Sequence, residues 1–275
     1  MSGSPSELNA QRHGLYELCV QSVETIAPFL RAVHGGEPLV LGEDFSGTAA
    51  LSQRWVDTVE GGRAISVDLD GDALSFRKAS EVLEVRCENV LSCDASADVA
   101  FVGNFSIGYW HTRAELVTYL THVRSRLGPG GAFVCDTYGG ESAFQVGEVH
   151  RDLMVAGDDP RPGLHAFRGK RVRYTWEQRE ADPVTGMVTN ACHFRVTGPG
   201  GRIETEIDDA FVYRWRLWSI AELRDAMAEA GFAGVDVYNK TADAVDGDGN
   251  VYVHPIEDGG EELDSEYVVF IAGRA

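Results

Sequence analysis

Two carboxylates with a glycine bend between them mark where this chain could do chemistry. Glu43, with Asp44 beside it, follows the short apolar run Leu39-Val40-Leu41; Ser46-Gly47-Thr48 then leads into the helix-forming Ala49-Ala50-Leu51. Strand, tight turn and helix start, in that order, present backbone N–H groups and a helix N-terminus to a ligand. An acid at such a strand end can accept hydrogen bonds from an ammonium or from hydroxyls. Asp68 ends the next apolar run, Arg63-Ala-Ile-Ser-Val-Asp68, where a carboxylate can accept both hydroxyls of a ribose. Asp70 opens the following segment and reads as a helix cap. A glycine turn alone is also ordinary packing; the second acid one strand later is what points to a nucleoside-like ligand.

Other chemistry-bearing residues are more dispersed. His111 follows the fourth apolar run on the rim where a substrate would enter, and is the leading general-base candidate; the plainer reading is a solvated residue at a helix start. Tyr109 and Tyr138 flank the same rim, or simply pack. Trp176, Trp215 and Trp218 could cage a cation, and Arg173 and Arg214 could hold a carboxylate, although strand tryptophans are commonly core and strand arginines solvated. His193 is read as structural. Asp246-Gly-Asp-Gly-Asn250, with Glu257 beyond it, looks like the start of an EF-hand loop, but its glycine falls at the fourth position rather than the sixth. It is read as an acidic turn, and no metal site is expected.

The elements that position these residues alternate. Apolar positions from Glu7 to Val33 recur at helical spacing, with Pro28 expected to split the run in two. Strands are expected at 39–41, 63–68, 84–88, 98–103 and 132–136. The helices between them start after Thr48, over 71–83, and from Thr112 to Leu127, the last with Glu115 completing a capping box. From Arg171 to Trp218 the pattern changes to three strand-like segments, 171–180, 187–196 and 202–217, joined by the turns Asp182–Gly186 and Thr197–Gly201. A helix capped by Ser219 and strands at 235–238 and 267–272 close the chain around an acidic loop, 241–265. This predicts an α/β fold: a doubly wound, mostly parallel seven-stranded sheet with an inserted antiparallel β cap. The expected division is a core of 1–139 and 219–275, with 140–218 covering the substrate pocket.

Composition narrows the partners. The chain has 275 residues, a net charge of −19 and only three lysines, which argues against binding nucleic acid or an anionic membrane. Its five cysteines lack metal-ligand spacing, and no apolar run is long enough to span a bilayer, so a cytoplasmic protein with reduced thiols is expected.

These motifs resemble the class I S-adenosylmethionine-dependent methyltransferases. Glu43-Asp44-Phe45-Ser46-Gly47-Thr48-Ala49 matches the family's acid-x-Gly-x-Gly-x-Gly motif with only the middle glycine kept. Asp68 matches its ribose-binding acid, Asn89 falls where an Asp often reaches the adenine amine, and Leu127-Gly-Pro-Gly-Gly-Ala-Phe-Val matches the approach to the fifth strand. Gly103–Trp110 and the antiparallel insert look like small-molecule N-methyltransferases of the glycine N-methyltransferase type, in which Asn104 would contact substrate. The arginine those enzymes use for a carboxylate would fall near Tyr138, so glycine is not the expected acceptor. The segments at Glu43–Thr48, Asp182–Gly186 and Trp215–Ser219 also resemble uncharacterised bacterial methyltransferases.

The resemblance implies S-adenosyl-L-methionine as cofactor, held by Tyr16, Glu43, Phe45, Gly47, Thr48, Asp68, Leu69, Asn89, Val90 and Asn104. It implies a small-molecule acceptor methylated by in-line displacement at nitrogen and contacted by Asn104, Trp176, Arg214 and Trp218, with His111, Tyr109 and Tyr138 nearest the reaction. Two alternatives stay open: methylation at oxygen or sulfur with His111 as base, and a silent sulfonium-binding regulatory protein. A homodimer is one assembly compatible with the sequence.

Overall fold

The computed structural model describes residues 5–247, 249–258 and 263–275. It divides into two compact units, Ser22–Ala143 with Leu217–Ala275, and residues up to Gln21 with Phe144–Arg216.

After α1 (Pro5–Cys19), the larger unit runs through α2 (Val23–His34), β1 (Val40–Asp44), α3 (Ala50–Thr58), β2 (Arg63–Asp68), α4 (Gly71–Leu74), β3 (Leu83–Cys87), β4 (Ala97–Val102), α5 (Arg113–Arg126) and β5 (Leu127–Gly140). The smaller unit then contributes β6 (Gly147–Met154), β7 (Arg171–Asp182), β8 (Met187–Thr197) and β9 (Ile203–Arg216). The chain ends in α6 (Ile220–Glu229), β10 (Gly234–Asn239), the short β11 (Ala244–Val245) and β12 (Val251–Tyr252), and β13 (Glu266–Arg274).

The larger unit is built on a seven-stranded sheet in the order β10-β13-β5-β4-β1-β2-β3. β1 pairs in parallel with both β2 and β4, whereas β13 is antiparallel to β5 and to β10. Both faces are covered, so consecutive strand residues divide between two cores. Ala100 and Val102 pack with Leu116, Leu120 and Val123 of α5, while Val99 and Phe101 pack with Leu30 of α2 and Trp55 of α3. Near-continuous apolar strands are what a parallel sheet buried on both sides requires. The strand order reverses between β1 and β4, and open α/β sheets bind ligands outside the carboxyl ends of strands at such a switch point.

The smaller unit is a four-stranded antiparallel sheet, β6-β7-β8-β9, with α1 packed into its core: Leu15 and Cys19 join Leu164, Val172, Phe194 and Val196. The approach is close, since a Cβ on Gly14 would meet the Pro162 carbonyl oxygen at 2.3 Å. Assigning the N-terminal helix to the larger unit from sequence was therefore incorrect: its apolar face belongs to the inserted sheet.

Four further expectations change. The N-terminal helical run breaks at 20–22, not at Pro28, which lies inside α2. The helix expected over 71–83 is the single turn α4, because beyond Leu74 the segment offers no face to bury: residues 78–82 are all exposed. The inserted sheet has a fourth strand, β6, an edge strand exposed along nearly its whole length and so without an apolar alternation to reveal it. The acidic loop holds the β11–β12 hairpin, whose turn Asp246 closes by accepting from Asn250 N–H at 2.9 Å and Tyr252 OH at 3.0 Å. Asp248 of the EF-hand-like segment lies outside the described residues, as do 1–4 and 259–262. Among the described residues no helix is long and apolar enough to cross a membrane.

Candidate functional site

The ends of β1 and β2 and the central part of β5 carry acids with different tasks. Glu43 and Asp44 are adjacent on β1 and therefore project to opposite faces of the sheet. Glu43 is buried on the α3 side, where its Oε2 accepts from Ser52 N–H at 3.0 Å and Ser52 Oγ at 2.6 Å. Asp44 is buried on the α5 side, where its Oδ2 accepts from Tyr119 OH at 2.7 Å and from Arg126. Burial pushes the Tyr119 hydroxyl well above its ordinary pKa, and the Asp44 carboxylate pushes it further.

Asp68 organises the turn between β1 and α3. Its Oδ2 accepts from Gly47 N–H at 2.7 Å and its Oδ1 from Asp70 N–H at 2.9 Å. Burial raises its pKa against these bonds. The Ser46 N–H donates to the Val67 carbonyl at 3.1 Å. Two turn N–H groups expected to face a ligand are thus turned onto β2.

Phe45, Gly47 and Ala49 all have positive φ, at 56°, 55° and 56°. These alternate positions are where the resembled motif has glycine, and Phe45 and Ala49 adopt left-handed backbone at a cost of roughly 1–2 kcal/mol each. The hydroxyls of Ser46 and Thr48, both buried, have no hydrogen-bond partner among the described residues.

A second strained turn follows β4. Asn104 and Phe105 have φ of 53° and 62°, and their N–H groups donate to Asp136 Oδ2 at 3.1 Å and Oδ1 at 2.7 Å. Asp136, fully buried at the end of the central part of β5, was missed from sequence; the signal was available, because it ends an apolar run as Asp68 does. Burial raises its pKa, while Lys240 and the two N–H groups lower it.

Aromatic rings line the same edge. Phe45 stacks on Tyr109 with centroids 5.6 Å apart and meets Trp110 edge-on at 6.1 Å, while Phe105 and Tyr138 form an edge-to-face pair at 4.9 Å. His111 is exposed just beyond. Leu69 is 70% exposed between β2 and α4. Asn89, two residues past β3, is exposed with its Oδ1 accepting from Leu91 N–H at 2.9 Å, and Val90 points into the core.

Of the three tryptophans that could cage a cation, Trp218 belongs to the larger unit and Trp176 and Trp215 to the smaller. Trp218 is 1% exposed in the core of the larger unit, its indole N–H donating to the Trp110 carbonyl at 3.0 Å, so it cannot contact an acceptor. Trp176 and Trp215 stack on each other in the smaller unit, centroids 6.0 Å apart. That unit also holds exposed Arg214, and Tyr16, whose ring lies 4.8 Å from Phe211. His193 Nδ1 accepts from Asp209 N–H at 3.1 Å, opposite a bulge in β9, and its Nε2 lies 3.2 Å from a Glu177 carboxylate oxygen.

No family model and no curated protein matches the chain. Among solved structures it matches an S-adenosylmethionine-dependent methyltransferase from Clostridium acetobutylicum at 14% identity, covering 94% of this chain and 96% of that one with a TM-score of 0.61. A sugar N-methyltransferase from a Streptoalloteichus species matches at 16% identity over 94% and 90% of the two chains, TM-score 0.60. An amino pentose methyltransferase from Micromonospora echinaspora, crystallised with S-adenosylmethionine, matches at 15% identity over 92% and 90%, TM-score 0.59. The chain has the class I methyltransferase fold.

The groups at the switch-point edge are ones that an adenosyl sulfonium would need. A carboxylate has about four lone-pair positions, and Asp68 spends two on backbone N–H groups, leaving acceptors for a ribose diol. The orphaned Ser46 and Thr48 hydroxyls lie in the same turn. Glu43 is held through its Oε2 by Ser52 of α3.

Burial pushes the Glu43 carboxyl up from 4.5 to about 7. The folded protein therefore prefers the protonated acid, and this stability is present below the ordinary value and lost as pH rises through about 7. Glu43→Gln keeps an oxygen for Ser52 but cannot ionise. Relative to wild type it is expected to gain about 2–3 kcal/mol between about pH 5 and about pH 8 in urea unfolding. Parallel stability curves would mean that Glu43 does not titrate in this window.

Proposed function

We propose that the protein is an S-adenosylmethionine-dependent methyltransferase that methylates a small-molecule acceptor at nitrogen. The observation that carries this reading is Asp68: a half-buried carboxylate at a β2 tip, locked by the turn it faces, with lone pairs left for a ribose. The fold and the aromatic rim at Phe45, Tyr109, Phe105 and Tyr138 support it. When bound, S-adenosylmethionine supplies an electrophilic methyl group on a sulfonium. Asp68 binds the ribose hydroxyls, the Phe45–Ala49 turn and Leu69 frame the adenosyl group, and Asn89 offers its amide to the adenine edge. The Asn104–Phe105 turn, held by Asp136, orients the acceptor. An amine that arrives unprotonated needs no protein base, so alignment carries most of the rate.

Calorimetric titration with S-adenosylhomocysteine tests the cofactor reading, and an absence of heat refutes it. Methyl transfer to a panel of amines, phenols and thiols then tests the acceptor atom. His111→Ala is expected to leave S-adenosylhomocysteine affinity unchanged. With an amine acceptor, the remaining pH dependence should follow the amine's own titration. A large loss of turnover in the variant with a phenol or thiol acceptor would instead make His111 a base and move the reaction to oxygen or sulfur.

A further inference from the structure

Lys240 is one of three lysines in a chain of net charge −19. Lys170 is tied to Glu204 at 2.6 Å, and Lys78 is exposed beyond α4. Lys240 immediately follows β10 and is half-buried, with its ammonium 5.7 Å from the centroid of the Phe105 ring. Among the described residues no carboxylate lies within ion-pair distance of it. The buried acid that feels its charge is Asp136, yet both Asp136 oxygens already accept backbone N–H groups from Asn104 and Phe105.

This combination is unusual for so acidic a protein. Among the described residues ten arginines, together with Lys170, find carboxylate partners, whereas this ammonium gives up part of its hydration and receives only a ring face. A cation over an aromatic ring gains about 0.5–1 kcal/mol at an exposed site, and charge-assisted hydrogen bonds to an anion are stronger. Its neighbours are the rings of Phe105 and, beyond it, Tyr138, beside the strained turn at the β4 tip.

We propose that Lys240 binds an anionic group of the acceptor, a carboxylate or a phosphate, with the Phe105 and Tyr138 rings against its apolar part. The assignment of that group to an acceptor rests on the methyltransferase reading. Lys240 is then a specificity-determining residue that selects acidic acceptors over neutral ones.

The three lysines make the test direct. Protein labelled with 13C at the lysine ε-carbons and saturated with S-adenosylhomocysteine is titrated with benzoate, phenyl phosphate and benzamide, and the Lys240 signal is assigned by its loss in K240Q. Benzoate or phenyl phosphate is expected to shift the Lys240 signal while those of Lys78 and Lys170 stay fixed, and benzamide is expected to leave all three unmoved. Tighter binding of one anion names the group as carboxylate or phosphate. K240Q should weaken the anionic probe at least tenfold without changing S-adenosylhomocysteine affinity, and K240R should restore it to within threefold. A silent Lys240 signal, an equal response to benzamide, or movement of all three lysines overturns the proposal. Failure of S-adenosylhomocysteine to bind wild-type protein refutes the methyltransferase reading instead.

Discussion

Asp44→Ala is expected to destabilise the larger unit by about 3–5 kcal/mol, the cost of breaking a buried ion pair from one side. Arg126 is 5% exposed and Asp44 1%, and the Tyr119 hydroxyl donates to the same carboxylate oxygen. Removing the carboxylate leaves a buried guanidinium and a buried phenol without their shared acceptor. Tyr119→Phe is the internal comparison, since it deletes only one of the two bonds and should cost about 1–3 kcal/mol. Replacing the whole cluster, as Asp44→Leu with Tyr119→Phe and Arg126→Met, should recover most of the loss, because apolar substitutes for buried pairs are often neutral. Urea unfolding of the four proteins decides it. If Asp44→Ala costs no more than Tyr119→Phe, water reaches the cluster and the pair is not what holds β1 to α5.

The functional consequence is positional. β1 carries Glu43 to α3 and Asp44 to α5, so the strand that leads into the Phe45–Ala49 turn is anchored on both faces one residue before the turn begins. The sequence shows two adjacent acids but not this division. It follows from the period-2 alternation of a strand whose two faces are both buried, and that depends on the helices packed on each side.

The same distinction explains what else was legible. Strands buried on both faces read as apolar runs, and the Thr112–Glu115 capping box and the Ser219 cap located α5 and α6. Both signals are local. β6 escaped because an exposed edge strand needs no apolar alternation, and the 71–83 segment has helical composition but no surface to bury. Trp176 and Trp218 look alike in sequence; only the end of β9 at Arg216 separates them, leaving one in the inserted sheet and the other in the core beneath Trp110. The polar Asp68 was found because it ends a strand beside a glycine turn, and Lys240 was not, because its significance lies in partners that are absent, which sequence cannot display.

Asp68→Ala should weaken S-adenosylhomocysteine binding at least tenfold, since hydrogen bonds to a charged group are worth about 1.5–3 kcal/mol. Two effects add. The variant loses the acceptor for the ribose hydroxyls, and it releases Gly47 N–H and Asp70 N–H, which fix the turn and the start of α4. Asp70→Ala separates them: it removes the cap that accepts from Asp72 and Ala73 N–H at 3.0 Å each, costing about 1 kcal/mol of local stability, but leaves the Asp68 carboxylate in place. Asp68→Asn keeps one carbonyl oxygen for a backbone donor and loses the charge, so it should bind between the wild type and Asp68→Ala. Calorimetry on the four proteins gives the order wild type, Asp70→Ala, Asp68→Asn, Asp68→Ala from tightest to weakest. An unchanged affinity in Asp68→Ala would remove this carboxylate from the cofactor site. A loss in Asp70→Ala as large as in Asp68→Ala would show that the turn, not the carboxylate, is what the ligand reads.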